Sequence, residues 1–378
     1  MKICFIGTVA SSIRNFRRDL ILDLIEQGHE VSILATDFDS DSREFVHSIG
    51  AIPIDFNLSR AGLSPIQDIR SLIEIYRILS SRSFDVVFAY TVKPVIYGAI
   101  AAKLASVNRM VGMLEGLGYA FTVLPEGYTF RQKMVQLIQL TLYKVAGRYI
   151  DDLVFLNKDD LNDVNSRIEM AVPRMHVLGG IGVDLERYHP KPVPGGVLRF
   201  IFVGRLLREK GIFEYVACAR KLKKEYSHLD FVVLGGIDDE NPGALTRSEL
   251  QLLVGTGDII YPGYVSNVDS WVSDSSVFVL PSYREGVPMS AQEAAALGRA
   301  ILTTDVPGCR DTVIDGYNGF LVEPHSSESL EKGMLKFIET PELANSMGVN
   351  SRKFAEDNFD VRWANDTLIK VLTSPKSR

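Results

Sequence analysis

A parallel α/β architecture in two domains is what this chain predicts, and three observations carry it. Short apolar runs of strand character alternate with helical stretches through both halves of the sequence. The 378 residues exceed the size at which one hydrophobic core stops growing, and 46% hydrophobic residues suffice for buried parallel sheets. A Pro- and Gly-dense segment, residues 188–196, separates the two alternating patterns, so the hinge is placed there.

In order, residues 2–6 form the first strand, and Gly7-Thr8-Val9-Ala10-Ser11-Ser12 leads to a helix near residues 16–26, stopped at Gly28. A strand over 30–35 completes a βαβ unit. Further strands fall at 84–89, 110–114, 152–156 and 175–178, giving a Rossmann-like domain over residues 1–188. The alternation repeats over residues 197–358, and a last helix lies near 361–372. The apolar run at the start is too short for a signal peptide's core, and no stretch reaches the roughly twenty apolar residues that cross a bilayer. Any membrane contact is therefore expected to be peripheral.

Two motifs in the second domain carry chemistry. The apolar strand 276–281 runs into Glu285-Gly286-Val287-Pro288-Met289-Ser290-Ala291-Gln292-Glu293. A parallel strand delivers Glu285 to the sheet's carboxyl edge, where open α/β sheets bind ligands. Pro288 suits the first turn of a helix ending at Gly298, with Glu293 just over a turn in; Ser290 and Glu293 also suit a capping box. Paired carboxylates accept hydrogen bonds from sugar and ribose hydroxyls. The same residues also suit a solvated loop end and a simple cap. Upstream, strand 198–203 meets Gly204-Arg205-Leu206-Leu207-Arg208-Glu209-Lys210-Gly211, a tight turn with cations flanking a helix start. Amide groups, helix dipole and guanidinium together favour phosphate, although a solvated basic loop fits too.

In order and spacing these motifs, with Val232-Val233-Leu234-Gly235-Gly236 and Tyr261-Pro262-Gly263-Tyr264-Val265 between them, resemble those of family-4 retaining glycosyltransferases. The resemblance implies a GT-B fold: two Rossmann-like domains facing a central cleft, with a C-terminal helix (about 359–378) crossing back to the first. It implies a UDP-sugar donor whose diphosphate meets Arg205 and Lys210 at the Gly204 turn. Glu285, with Gly286, Val287 and Pro288, would hold the sugar, Glu293 the ribose, and the backbone around Tyr264 and Val265 the base. Gly7 of the first domain would also approach the donor.

Net charge is -6 with a pI near 5.6, against a polynucleotide partner, whose binders are usually basic. Cys4, Cys218 and Cys309 lack metal-ligand spacing and are odd in number, which suits a reduced, cytoplasmic setting without structural disulfides. The first domain nevertheless has a basic stretch: residues 60–150 hold eleven Lys and Arg against five Asp and Glu. That suits the inner face of a membrane or a lipid-linked diphosphate. Phe130, Met134, Leu137, Ile138, Leu142 and Val145, with Arg131, Lys133, Lys144 and Arg148, fit an interfacial amphipathic helix, and equally a helix packed on its own domain.

Lys93 follows a strand and could hold a phosphate or lie in solvent, and Arg14 and Arg17 could meet the acceptor's diphosphate or solvent. Glu115-Gly116, on the acceptor side, ends another strand. Many family members have His in this region; Glu115 resembles instead a subgroup extending undecaprenyl-diphosphate-linked sugars, including bacterial N-acetylgalactosaminyltransferases. Glu115 joins Glu285, Arg205 and Lys210 as candidate catalytic groups, with sugar contact, proton acceptance and turn shaping all open to it.

No cofactor and no divalent metal are expected, since Arg205, Lys210 and a helix N-terminus can stabilise the leaving diphosphate. Of the acid pairs, Asp37 and Asp39 read as solvated loop, and Asp238-Asp239 resembles the family's donor-side loop. The implied activity is transfer of a hexose or N-acetylhexosamine, best N-acetylgalactosamine, to a polyprenyl-diphosphate-linked saccharide in O-antigen, capsule or glycoprotein glycan assembly. A hydrolysing UDP-N-acetylglucosamine epimerase would turn over donor alone, and a nucleotide-sugar sensor would bind without transfer.

Overall fold

Runs such as Ile3 to Ile6 and Phe200 to Phe202 are apolar at successive positions because each lies inside a parallel sheet buried on both faces. The computed structural model describes residues 1–59, 64–239 and 241–375. The first sheet comprises β1 (Lys2–Ile6), β2 (Glu30–Ala35), β3 (Ile52–Asp55), β4 (Val86–Tyr90), β5 (Arg109–Leu114), β6 (Asp152–Phe155) and β7 (Arg174–Val177). The second holds β8 (Arg199–Val203), β9 (Asp230–Leu234), β10 (Ile260–Gly263), β11 (Val277–Leu280), β12 (Ala300–Thr304) and β13 (Gly319–Val322). Every pairing is parallel, in the orders β3-β2-β1-β4-β5-β6-β7 and β10-β9-β8-β11-β12-β13.

Strand order reverses between β1 and β4 in one sheet and between β8 and β11 in the other. At such a switch point neighbouring connections leave in opposite directions, opening a crevice beyond the strand ends. β3 was not foreseen from sequence: it is four residues long and contains Pro53. Proline lacks a ladder donor, so it is confined to sheet edges, and both β3 and the Pro262-bearing β10 are edge strands.

The chain divides into two compact units, one of residues 1–121, 130–181 and 362–378, the other of 122–129 and 182–361. The chain therefore passes between them at 121/122, 129/130, 181/182 and 361/362, and at no point within the Pro-rich segment expected as hinge. That segment is tied into the second unit: Arg299, buried, donates to the carbonyls of Lys191 and Pro192, and Arg352 donates to the Tyr188 carbonyl (2.7 Å). The last helix, Val361–Thr373, belongs almost wholly to the first unit, as the resemblance implied. Asn365 Nδ2 donates to Asp23 Oδ2 (3.0 Å), and Arg109 Nη2 donates to the carbonyl of Val371. Residues 376–378 of the expected crossing segment, and Arg60 of the basic stretch, lie outside the described residues.

The helix expected near 16–26 is two, Ser11–Phe16 and Arg18–Glu26, broken at Arg17, whose φ of -128° is not helical. Arg109 and Arg174 each donate to the buried Asp152 Oδ2 and His176 bonds its Oδ1, all at 2.8 Å, at the amino ends of β5, β6 and β7. Asp152 is thus the centre of a structural ion network.

Candidate active site

The second unit brings its two motifs together at the β8/β11 switch point. β8 ends at Gly204 and Arg205; a single turn of 3-10 helix, Arg208–Lys210, then precedes the helix Ile212–Glu225. Gly211 is the pivot. Its φ of 75° is left-handed, and a Cβ there would lie 2.1 Å from the Pro281 carbonyl oxygen, so only glycine lets the loop 204–211 pass so close to the end of β11. Lys210 Nζ consequently meets Glu285 Oε1 directly, which Ser282 Oγ also reaches (2.7 Å). Tyr283 anchors this loop from the other side: its hydroxyl donates to Glu214 Oε1 (2.7 Å) and its ring packs on His325. Neither Glu214 nor Tyr283 was singled out in the sequence.

Arg205 is half-exposed and its Nη1 donates to Asp238 Oδ2 (2.6 Å). Glu209, between the two cations, is buried, and one of its oxygens finds no hydrogen-bond partner among the described residues. Burial raises its pKa, against the pull of Lys210 and Arg205.

The helix carrying Glu293 is Met289–Ala296, with Pro288 as its N-cap and no side-chain cap, so the Ser290/Glu293 capping box does not form. Glu293 instead accepts from the Tyr188 hydroxyl (2.8 Å), and burial raises its pKa. Tyr188 was read only as part of a linker. Val287 and Pro288 are buried, so the backbone is what Val287 can offer a ligand. Tyr264 is 85% exposed beside Gly236, and Val265 is part-buried.

In the first unit Gly7, at the end of β1, faces Tyr90, at the end of β4: a Cβ on Gly7 would lie 2.2 Å from the Tyr90 hydroxyl. Arg17, for which an acceptor diphosphate or solvent was expected, does not face solvent. It is 2% exposed, lies over the Tyr90 ring (5.0 Å) and donates to Glu115 Oε1, the carboxylate at the end of β5. Burial lowers its pKa to about 10. Arg17 therefore fixes Glu115, which remains about one-quarter exposed beside Gly116. Lys93 is likewise engaged, by Asp68 Oδ1 (2.9 Å), just after Thr91, whose φ of 70° is a strained value for a residue with a side chain. Arg14, half-exposed, pairs with Asp41 (3.0 Å) and covers Phe45. Asp39, read as solvated loop, caps the helix Ser40–Ser48, and Asp37 accepts from the Ala10 amide (2.6 Å).

All three cysteines are free and buried. Among the described residues no cluster of three or more His, Cys, Asp or Glu could hold a metal ion, and no helix is long and apolar enough to cross a membrane.

Comparison with known proteins agrees with this reading of the fold. Residues 186–354 match the family described as Glycosyl transferases group 1, and residues 2–149 match Glycosyl transferase 4-like. The chain is 25% identical to the N,N'-diacetylbacillosaminyl-diphospho-undecaprenol alpha-1,3-N-acetylgalactosaminyltransferase of Campylobacter jejuni, over 94% of each. It is 26% identical to the UDP-Gal:alpha-D-GlcNAc-diphosphoundecaprenol alpha-1,3-galactosyltransferase of Escherichia coli, over 79% of this chain and 78% of that one. In fold it is similar to the sucrose-phosphate synthase of Thermosynechococcus elongatus (TM-score 0.82, 17% identity, 98% of each chain). It is similar also to HepE of Anabaena in complex with UDP-glucose (TM-score 0.74, 16% identity, 99% of each). With a glycosyltransferase family matching each half, the chain belongs to the family-4 glycosyltransferases of GT-B fold.

Proposed function

We propose that this protein transfers a sugar from a UDP-sugar, with retention, to a polyprenyl-diphosphate-linked saccharide during bacterial glycan assembly. N-acetylgalactosamine is the favoured sugar, because the relative similar over 94% of each chain bears that activity in its name and Glu115 stands where that subgroup resembles this chain. The observation that carries the reading is the direct contact of Lys210 with Glu285, across seventy-five residues of sequence, at the switch point of one sheet. A cation for phosphate and an acid for sugar hydroxyls thereby sit one contact apart, as a nucleotide sugar requires.

Departure of UDP develops negative charge on the β-phosphate. Arg205, Lys210 and the amide groups opening the helix Ile212–Glu225 are fixed donors for it, so the step is proposed to need no divalent ion. Glu285, held by Ser282, accepts from donor hydroxyls rather than acting as nucleophile. In the first unit Glu115, braced by buried Arg17, is the group proposed for the acceptor side, with Arg14 nearest solvent for an acceptor diphosphate.

We place the first unit on the inner face of an anionic membrane. The helix Phe130–Gly147 is inverted: Phe130, Met134, Leu137, Ile138 and Val145 are exposed, whereas Gln132, Gln136 and Gln139 turn inward to the carbonyls of Tyr119, Ala120 and Leu117. Leu142 alone of the expected apolar set packs against the core. The helix Pro65–Arg82 likewise exposes Ile66, Ile69, Ile73 and Tyr76 beside Arg70 and Arg77. Both helices pack against Val92–Leu104, so the two apolar stripes belong to one layer. Exposed apolar side chains with basic neighbours suit an interfacial surface.

The test is a screen of UDP-sugars against a short polyprenyl-diphosphate-sugar acceptor, with and without EDTA. Transfer from one donor, unaffected by EDTA and with the anomeric configuration kept, is the expected result. Hydrolysis or epimerisation of donor without acceptor, or donor binding without transfer to any acceptor, would overturn the assignment, and loss of transfer with EDTA would overturn its metal-free step.

A further inference from the structure

The loop after β9 meets the phosphate loop near both of its ends. Leu206 N donates to the Gly236 carbonyl (3.0 Å), Leu245 N to that of Leu206 (3.0 Å), and Arg208 N to that of Gly243 (2.8 Å). Gly235, at φ 146°, comes so near that a Cβ would lie 1.8 Å from the Gly204 carbonyl oxygen. Within the loop, Asn241 N donates to the Asp238 carbonyl (2.8 Å) and Asn241 Oδ1 accepts from Gly243 N (2.9 Å). Beneath it, the buried Glu209 carboxylate would lie 2.0 Å from a Cβ on Gly243. The backbone that carries Asp238 is therefore fixed on both sides.

Asp238's side chain is 10% exposed and that of its partner Arg205 is 53% exposed. The acid is the fixed member of the pair and the guanidinium its exposed end. Asp238 engages Nη1, and among the described residues the Arg205 side chain makes no other hydrogen bond, so Nε and Nη2 remain for a ligand. Long arginine side chains lose rotamer freedom when they bind, and a carboxylate that already holds one edge of the planar fork removes part of that cost.

We infer that Asp238 is a positioning residue for the donor diphosphate: it holds Arg205 by one edge so that the rest of the fork meets phosphate. This rests on the proposed reading of Arg205 as a phosphate ligand. The charge pattern gives the same direction, since an acid beside a phosphate site is unfavourable in itself and is tolerated where it orders the cation that binds.

The experiment compares UDP and uridine binding by calorimetry to the full chain and to its Arg205→Ala, Asp238→Ala, Asp238→Asn and Arg205→Ala/Asp238→Ala variants, each checked for an unchanged thermal transition. Loss of a charge-assisted contact predicts that Arg205→Ala weakens UDP binding by roughly 10- to 100-fold. Asp238→Ala should weaken it by about tenfold, Asp238→Asn by less, and the double variant should be no weaker than Arg205→Ala alone. Uridine affinity, which has no phosphate term, should stay the same throughout. If Arg205→Ala leaves UDP affinity intact, the phosphate reading itself fails. If Arg205→Ala weakens it while Asp238→Ala does not, only this inference fails. Tighter UDP binding by Asp238→Ala would make the acid a competitor for Arg205, and parallel loss of uridine binding would make it merely a loop support; both overturn the proposal.

Discussion

Replacing Glu285 with Gln keeps the side chain's shape and removes its charge, and the structure gives the change two opposed consequences. Oε1 takes hydrogen bonds from Lys210 Nζ and from Ser282 Oγ, inside a loop that Tyr283 and Gly211 hold in place, so the loop should persist. A hydrogen bond to a charged group contributes about 1.5–3 kcal/mol against about 0.5–1.5 for a neutral pair, so two sugar hydroxyls would lose roughly 2–3 kcal/mol together. At about 1.4 kcal/mol per tenfold, transfer should fall by roughly 30- to 150-fold in kcat/KM for the UDP-sugar. Lys210, meanwhile, loses its carboxylate partner and is left for the diphosphate. UDP affinity should therefore hold or improve while transfer collapses. Calorimetric titration of UDP beside steady-state transfer kinetics separates the two. A variant keeping more than a third of its kcat/KM would refute the sugar role, and UDP affinity falling in step with transfer would show Glu285 to be a support for the phosphate loop.

Asp152→Asn leaves buried Arg109 without its carboxylate and weakens the holds on Arg174 and His176, so urea unfolding should show about 3–5 kcal/mol of lost stability; a change under about 1 would contradict the network. The Glu293 pKa is raised in the folded protein by burial, so folding favours its protonated form: the stability this contributes is present below the ordinary value of 4.5 and lost as pH rises through the raised value. In donor-free protein Glu293→Gln should flatten the decline of the thermal transition over that rise, and an unchanged slope would remove the assignment. Phe130→Glu with Leu137→Glu should release the protein from vesicles containing phosphatidylserine while UDP affinity stays the same, and retained sedimentation with vesicles would exclude this helix as the contact.

What was legible in the sequence was local and apolar. β1 and β2 fall where a run of buried residues stands between turn signals, and the Glu285 and Arg205 loops follow strands whose parallel burial leaves little choice of direction. What escaped were partners fixed by topology. Arg17 and Arg14 look alike in the sequence, yet Arg17 lies at the break between two helices and reaches over Tyr90 to Glu115, ninety-eight residues on, while Arg14 stays at the surface. No periodicity distinguishes them. Lys93 reads as a free cation until the preceding helix delivers Asp68 to it. The Pro-rich segment reads as a linker because proline and glycine are sparse inside regular elements; nothing local says that Arg299 and Arg352 will bind its carbonyls or that Tyr188 will cap Glu293.

These pairings share a physical pattern. Lys210 with Glu285, Arg205 with Asp238 and Glu293 with Tyr188 each join a group proposed for the donor to a second group of the same unit. An empty site with loose lysine and arginine side chains would have to order them as substrate arrives, at a cost in entropy of about 1–2 kcal/mol for each. Here that ordering is already made by internal partners, and fixed charges are most effective on a developing phosphate charge when they need not reorient during the step. The partners differ in how readily they would yield. Asp238 is set in a loop bound to the phosphate loop by backbone hydrogen bonds and can keep its arginine as the donor binds, whereas Glu285 must share its oxygens between Lys210 and the sugar. The sugar's hydroxyls thus compete with an ammonium for one carboxylate, and Lys210 turns to phosphate most readily when a sugar is there to take its place. On that argument a UDP-sugar binds more tightly than the separate affinities of UDP and free sugar would give, because each half of the donor satisfies the group that the other half disturbs.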